Sequence, residues 1–158
     1  MMAPTIAEPL AEAAFLGCLL ATSAALVEAV RLEVEDFASP QHRAVFGCVL
    51  ALVERGEVID PITVLGELRR SGREKALTCD QSAGVFLHSL LAAAPNLGSA
   101  SYYRRIVVEH RLRRAAHEAG ERLQQIAEKG SSDELGALLV EAFDEVRRLA
   151  KRLPVVTL

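Results

Sequence analysis
The chain has 158 residues, 51% of them apolar and 25% charged, with a formal net charge of −3 and no tryptophan. A chain of this length buries about 68–70% of its unfolded surface and needs no metal or disulfide staple, and its charge exerts no overall pull toward nucleic acid. No apolar run approaches the ~18 residues of a membrane span, and acidic residues ahead of the first apolar run argue against a signal peptide.

Apolar positions recur at three and four residues almost throughout, and no period-two alternation is long enough for a strand, so the expected fold is all-α. A first helix is predicted over 9–20, with Phe15, Leu16, Leu19 and Leu20 inward. Thr22 and Ser23 punctuate it, and a short helix follows over 24–31. The stretch after it reads as a loop anchored by Val34 and Phe37. Ser39-Pro40 is a strong helix start, a hydroxyl cap followed by proline at the first helical position. That helix carries Val45, Phe46, Val49, Leu50 and Val53 on one face and ends near Arg55, where Gly56 is able to take the left-handed closing conformation.

Asp60-Pro61 starts the next helix, with Ile62, Leu65 and Leu68 at three-residue spacing and Ser71-Gly72 closing it. A polar stretch leads to a helix over 82–94, with Val85, Phe86, Leu87, Leu90 and Leu91 packing, broken by Pro95-Asn96. Ser99 is the expected cap of a long helix over 100–129 that stops at Gly130. Ser131 and Glu134 have capping-box spacing for a last helix reaching about Leu153.

Two parts follow from this reading: a globular head of short helices over 9–98 and a long antiparallel helical hairpin over 99–153, with tails at 1–8 and 154–158. The hairpin seam steps by four and three through Leu112, Ala116, Ala119, Leu123 and Ile126, and through Leu135, Leu139, Ala142, Val146 and Leu149. Two helices make a thin core. The spare faces, with Leu138 and Phe143, need cover from the head or from a second copy of the chain.

The chemistry-bearing signals are sparse. Cys18, Cys48 and Cys79 are too widely spaced for a disulfide framework. Cys18 and Cys48 lie in apolar runs as small buried hydrophobes, which fits a cytoplasmic protein. There is no phosphate-binding loop, no dinucleotide fingerprint and no Cys-x-x-Cys. His42, His88, His110 and His117 form no ligand set, so no catalytic, cofactor or metal residues are expected. Residues 102–122 are locally basic, with Arg104, Arg105, Arg111, Arg113 and Arg114 able to contact phosphate or to line a solvated helix face. The first 99 residues carry 12 acidic and 7 basic side chains, enough acid to neutralise them internally. Tyr102 and Tyr103, at the helix start, read as rim and core rather than as base-stacking rings.

Several stretches together resemble the N-terminal domain of the bacterial replicative helicase family, DnaB. They are Asp36-Phe37, Pro40, His42-Arg43, Val45-Phe46, Arg55-Gly56-Glu57, Ile59-Asp60, Thr63-Val64 and Glu67-Leu68. Pro95, Tyr102, Tyr103, Ile106 and Val107 match the start of that family's long helix, with Ser99 where the family often has Asn. The likeness runs from about Glu12 to Leu149; it departs after Gly72, where Lys75 to Gly84 replace a Gly-Gly segment, and no ATPase domain follows the hairpin. The resemblance implies a helical head and hairpin, self-association into dimers within a ring, and docking of primase. It also implies that this chain carries out no catalysis, whether it is a fragment of a helicase or a free-standing relative. Two other readings are a primase-type helicase-binding domain, which shares the head-and-hairpin plan, and a helical DNA-binding regulator using Arg104 to Arg114. Weak or absent DNA binding is expected of the favoured reading.

Overall fold
The computed structural model describes residues 6–77 and 81–154. It forms two compact units, 1–107 and 108–158, whose boundary falls inside one long helix. The described residues are helical, without a strand. Cys79 and the outer tail residues 1–5 and 155–158 lie outside the described residues.

In the first unit, α1 (Glu8–Ala21) is buried on nearly every side, through Ala11, Glu12, Ala14, Phe15, Leu16, Gly17, Cys18, Leu19 and Leu20. Helices α3 (Pro40–Glu54) and α5 (Ala83–Ala92) pack on it, and α4 (Pro61–Arg70) packs on both of those. Gly17 makes the contact with α5 possible: a Cβ there would collide with the Leu90 carbonyl and stand 2.8 Å from Ala94 Cβ. The core centre is a ring cluster, with Phe37 and Phe46 centroids 4.7 Å apart and Phe15 at 6.3 and 6.5 Å from them. Tilted rings at such spacings add to their area burial.

The helix boundaries follow local chemistry. Ser39 Oγ accepts from His42 N ahead of α3. Gly56, at φ 69°, closes α3 in the left-handed region, while Gly56 N donates to Val53 O and Glu57 N to Leu52 O, the paired bonds of a Schellman motif. Asp60 Oδ1 accepts from Ile62 N and Thr63 N at 2.8 Å, and Thr63 Oγ1 accepts from Asp60 N at 3.0 Å. Gly72, also left-handed at φ 71°, follows α4. Ser82 caps α5. The short helix after α1 is a 3-10 turn, Ser23–Ala25, running into α2 (Leu26–Ala29).

Four expectations for this unit are corrected. Leu32, not Val34, joins Phe37 as the buried anchor between α2 and α3, and Val34 is half-buried. Ile62 is 82% exposed, because the first turn of α4 stands clear of the core and Val64, Glu67 and Leu68 are the residues turned inward. Val85 is 55% exposed, since the inner side of α5 is set by Ala83, Phe86, Leu87 and Leu90. Asn96 rather than Ser99 supplies the cap before α6 (Ala100–Lys129): its Oδ1 accepts from Gly98 N at 3.0 Å, and Ser99 ends the 3-10 turn Leu97–Ser99. Cys18 and Cys48 are buried free thiols, and burial pushes the Cys18 thiol up.

In the second unit, the remainder of α6 runs antiparallel to α7 (Ser132–Ala150), tied by Arg111 to Glu145 at 2.6 Å and by Arg122 to Glu141 at 3.7 Å. The reversal is tight. Gly130 N donates to Ile126 O at 2.7 Å, and a Cβ on Gly130 would stand 2.6 Å from Ile126 Cγ2, so only glycine fits. Ser131 and Glu134 form the capping box, each side chain accepting from the other's backbone N–H.

Candidate functional site
The family-marker residues of the first unit are a buried fastening, not a reactive centre. Glu12 on α1 is fully buried, yet its carboxylate accepts from Ala38 N at 2.5 Å and Ser39 N at 3.3 Å, with His42 Nδ1 2.6 Å away. A buried carboxylate needs donors, so Nδ1 carries the proton. The His42 ring stacks on Phe86 at 5.9 Å, and Arg43 Nε donates to Phe37 O at 2.6 Å. Glu12 thereby locks α1 to the start of α3. Its role was hidden in the sequence because its partners stand up to 30 residues away.

The second polar knot is Glu67. Its carboxylate takes Arg70 Nη2 and Arg55 Nη2 at 2.7 Å each and Arg70 Nε at 2.9 Å. Hydrogen bonds from Arg70, then from Arg55, hold its pKa down to about 2 against the opposing effect of burial. Hydrogen bonds to Glu57 and then Glu67 raise the Arg55 guanidinium value, and the hydrogen bond to Glu67 raises that of Arg70. Arg55 also meets Glu57 at 2.6 Å, so Arg55-Gly56-Glu57 binds the α3–α4 corner together.

The basic stretch of α6 is largely committed within the chain. Arg104 Nε pairs with Glu28 Oε2 at 2.7 Å, both side chains mostly buried. Arg105 lies over the Tyr102 ring at 5.2 Å, and Tyr103 is buried while Tyr102 stands at the surface. Arg111 meets Glu145 at 2.6 Å and Glu118 at 3.8 Å. Burial lowers the pKa of Arg114, with Glu118 opposing. Along a helix of 3.6 residues per turn, Arg113 leaves the side shared by Arg111 and Arg114.

The hairpin shifts two of the expected seam positions, Leu139 and Ala116, to their neighbours Leu138 and Ala115. On α7, Leu138 is 4% exposed and Leu149 is fully buried, with Leu135, Ala142 and Val146 half-buried. Leu139, assigned to the seam, is 50% exposed, beside Val140 at 64% and Phe143 at 67%. Leu138 and Leu139 have thus exchanged places. On α6, Ala115 is buried where Ala116 was expected and Ala116 is exposed, while Leu112, Ala119, Leu123 and Ile126 are half-buried. A straight helix drifts about 20° per heptad against a strict seven-residue repeat, so a neighbouring position takes over the inward side. Leu139, Val140, Phe143 and Asp144 line a shallow open groove on the outer side of α7. Sequence pattern alone missed Val140, whose signal is the apolar run Leu138-Leu139-Val140.

Among the described residues, no cluster of three or more His, Cys, Asp or Glu side chains is arranged to hold a metal ion, and no helix is long and apolar enough to cross a membrane.

Residues 6–109 match the family model of the DnaB-like helicase N terminal domain. The chain is 34% identical to the replicative DNA helicase DnaB of Mycobacterium leprae over 138 residues, covering 87% of this chain and 22% of that protein. It is 35% identical to the replicative DNA helicase DnaB of Geobacillus stearothermophilus over 147 residues, covering 90% and 30%. The chain therefore spans less than a third of these curated relatives. The crystal structure of the N-terminal domain of DnaB helicase from Mycobacterium tuberculosis superposes with a TM-score of 0.72 at 33% identity, covering 94% of this chain and 97% of that one. An all-helical fold, a sequence match over most of the chain and this structural likeness agree: the chain belongs to the DnaB-like helicase N-terminal domain family.

Proposed function
We propose that this chain is the assembly and partner-docking module of a DnaB-type replicative helicase, acting in DNA replication without catalysis of its own. Residues 9–98 serve as the head and 99–153 as the hairpin through which copies associate, as dimers or within a higher ring. Primase and the motor part of a helicase are the partners this reading assigns. The observation that carries it is the outward apolar strip of Leu139, Val140 and Phe143 on α7, in a chain whose family is that of helicase N-terminal domains. Contiguous exposed apolar surface marks interaction sites on soluble proteins. The inner hairpin residues Leu112, Ala119, Leu123, Ile126, Leu135, Leu138, Val146 and Leu149 then hold the two helices together, while Leu139 and Phe143 face the second copy.

The absence of a phosphate-cradling loop supports the non-catalytic part. The test is sedimentation equilibrium over a hundredfold concentration range, with ATP hydrolysis and primase capture measured on the same preparation. A reversible dimer at micromolar concentration that binds primase and releases no phosphate is expected. A strict monomer that ignores primase sinks the proposal.

A further inference from the structure
A 3-10 turn, Arg73–Ala76, follows α4 and leads into Leu77. Gly72, left-handed at φ 71°, separates it from Ser71 at the end of α4. Arg73 and Lys75 are exposed, Glu74 is half-buried and Leu77 is fully buried. The turn lies on both α3 and α4. Arg73 reaches back over α3 where no side chain stands: a Cβ on Gly47 would be 3.1 Å from Arg73 Nη1 and 3.6 Å from its Cζ. The same Nη1 donates to Cys48 Sγ at 3.9 Å, and Ser71 Oγ is also 3.9 Å from that sulfur. Cys48 is fully buried, and the exposed Arg73 forms part of its cover.

We propose that residues 73–77 form a strap that lifts about Gly72 while the rest of the head stays folded, with Arg73 as its latch and Leu77 as its anchor. The fastenings named are weak ones. A thiol sulfur is a poor acceptor. Glu74 meets Arg69 at 3.2 Å with both side chains reaching solvent, and such pairs contribute little. Leu77 N donates to Glu74 O inside the segment, so that bond survives the lifting. One buried side chain anchors the strap, whereas α1 is buried along most of its length. Segments with few buried contacts open at a lower free energy than the whole fold, and a glycine in the left-handed region at the segment's start supplies the pivot. Lifting uncovers Cys48 Sγ and the bare Gly47 stretch of α3. Cys18, on α1 with its Sγ 3.8 Å from Asn96 O, stays in the core. The strap thus makes one buried thiol of the head reachable on local opening and leaves the other closed.

The experiment treats the full native chain with iodoacetamide at neutral pH, over a series of urea concentrations up to the unfolding midpoint. The reagent forms an Sγ–C bond, expels iodide and leaves the thiol proton to solvent, and mass spectrometry of the peptides reads each cysteine separately. Cys48 should react at least about tenfold faster than Cys18 and depend little on low urea, because lifting exposes little surface, while Cys18 follows the steep urea dependence of global unfolding. Arg73→Ala, a surface change checked for native helicity by circular dichroism, should speed the Cys48 reaction about threefold, as expected for the loss of one hydrogen bond. Equal rates and equal urea slopes for the two thiols overturn the strap, since Cys48 is then reached only by global unfolding. A Cys48 rate that Arg73→Ala leaves unchanged overturns the latch.

Discussion
Glu12 Oε2 and His42 Nδ1 lie 2.6 Å apart, with both side chains buried. The pair joins the middle of α1 to the first turn of α3, and the same carboxylate satisfies the N–H groups of Ala38 and Ser39. The sequence motif around Asp36-Phe37 and His42-Arg43 is therefore architectural. It positions the start of α3 and the Phe37–Phe46 contact beneath it.

Replacing Glu12 by alanine strands these donors in the core. Leaving a buried donor without its acceptor costs about 1–3 kcal/mol, so Glu12→Ala should lower the urea midpoint sharply while Glu12→Gln, which keeps an acceptor, costs less. Equal midpoints for native chain and Glu12→Ala would show the contact to be dispensable.

What was legible in the sequence was what local chemistry dictates. Ser39-Pro40, Asp60-Pro61, Ser82 and the Ser131–Glu134 box each act on a backbone group within three residues, and each starts a helix as expected. Gly56 followed from the same rules, whereas α6 spans the expected residues behind a different cap, Asn96. Rotation about a helix axis was not legible. Leu138 and Leu139 are identical side chains 100° apart, and only packing against α6 decides which turns inward. Ile62 and Val85 were misassigned because a hydrophobic residue at helical spacing is equally compatible with surface. Glu12 escaped notice because a buried charge is explained only by distant partners.

Acid should unfasten the α3–α4 corner. Glu67 has a folded pKa of about 2, below its ordinary 4.5, so the folded state holds the carboxylate ionised where the unfolded chain binds a proton. The resulting stabilisation is complete above about 4.5 and is lost as pH falls through about 2. Glu67→Gln should be less stable than the native chain at neutral pH and show a shallower loss across that acid window. Parallel stability curves for the two proteins throughout the window would remove Glu67 from the account.

The α1–α5 contact admits no methyl group at Gly17. A Cβ there meets the rigid Leu90 carbonyl and Ala94 Cβ, with no flexible side chain to yield. Gly17→Ala should therefore destabilise by at least about 1–3 kcal/mol, the range of overpacked cores, despite alanine's better helix propensity. A thermal midpoint at or above the native value would contradict this packing.

Binding to DNA should be weak, with Kd above about 10 µM at physiological salt, the range of non-specific association. Arg104 and Arg111 are held by Glu28 and Glu145, and the net charge is −3. Fluorescence anisotropy with single- and double-stranded oligonucleotides checks this. A submicromolar, salt-sensitive titration would favour the regulator reading instead.

Adjacent leucines on α7 separate folding from assembly. Leu138 is buried in the hairpin, so Leu138→Asp places an unpaired charge there and should cost about 3 kcal/mol or more, melting the hairpin. Leu139 is half exposed beside Val140 and Phe143, so Leu139→Asp should change stability by about 1 kcal/mol or less. Its charge would instead have to be buried when two copies meet, which should weaken the dimer at least about tenfold. Phe143→Ala should behave like Leu139→Asp, because its ring is 67% exposed and contributes little to the isolated hairpin. Circular dichroism melts and sedimentation equilibrium on the same samples distinguish the two effects. If Leu139→Asp melts the hairpin and Leu138→Asp does not, the helix is rotated by one residue from its position here. If both leave the dimer intact, copies of the chain meet through another surface.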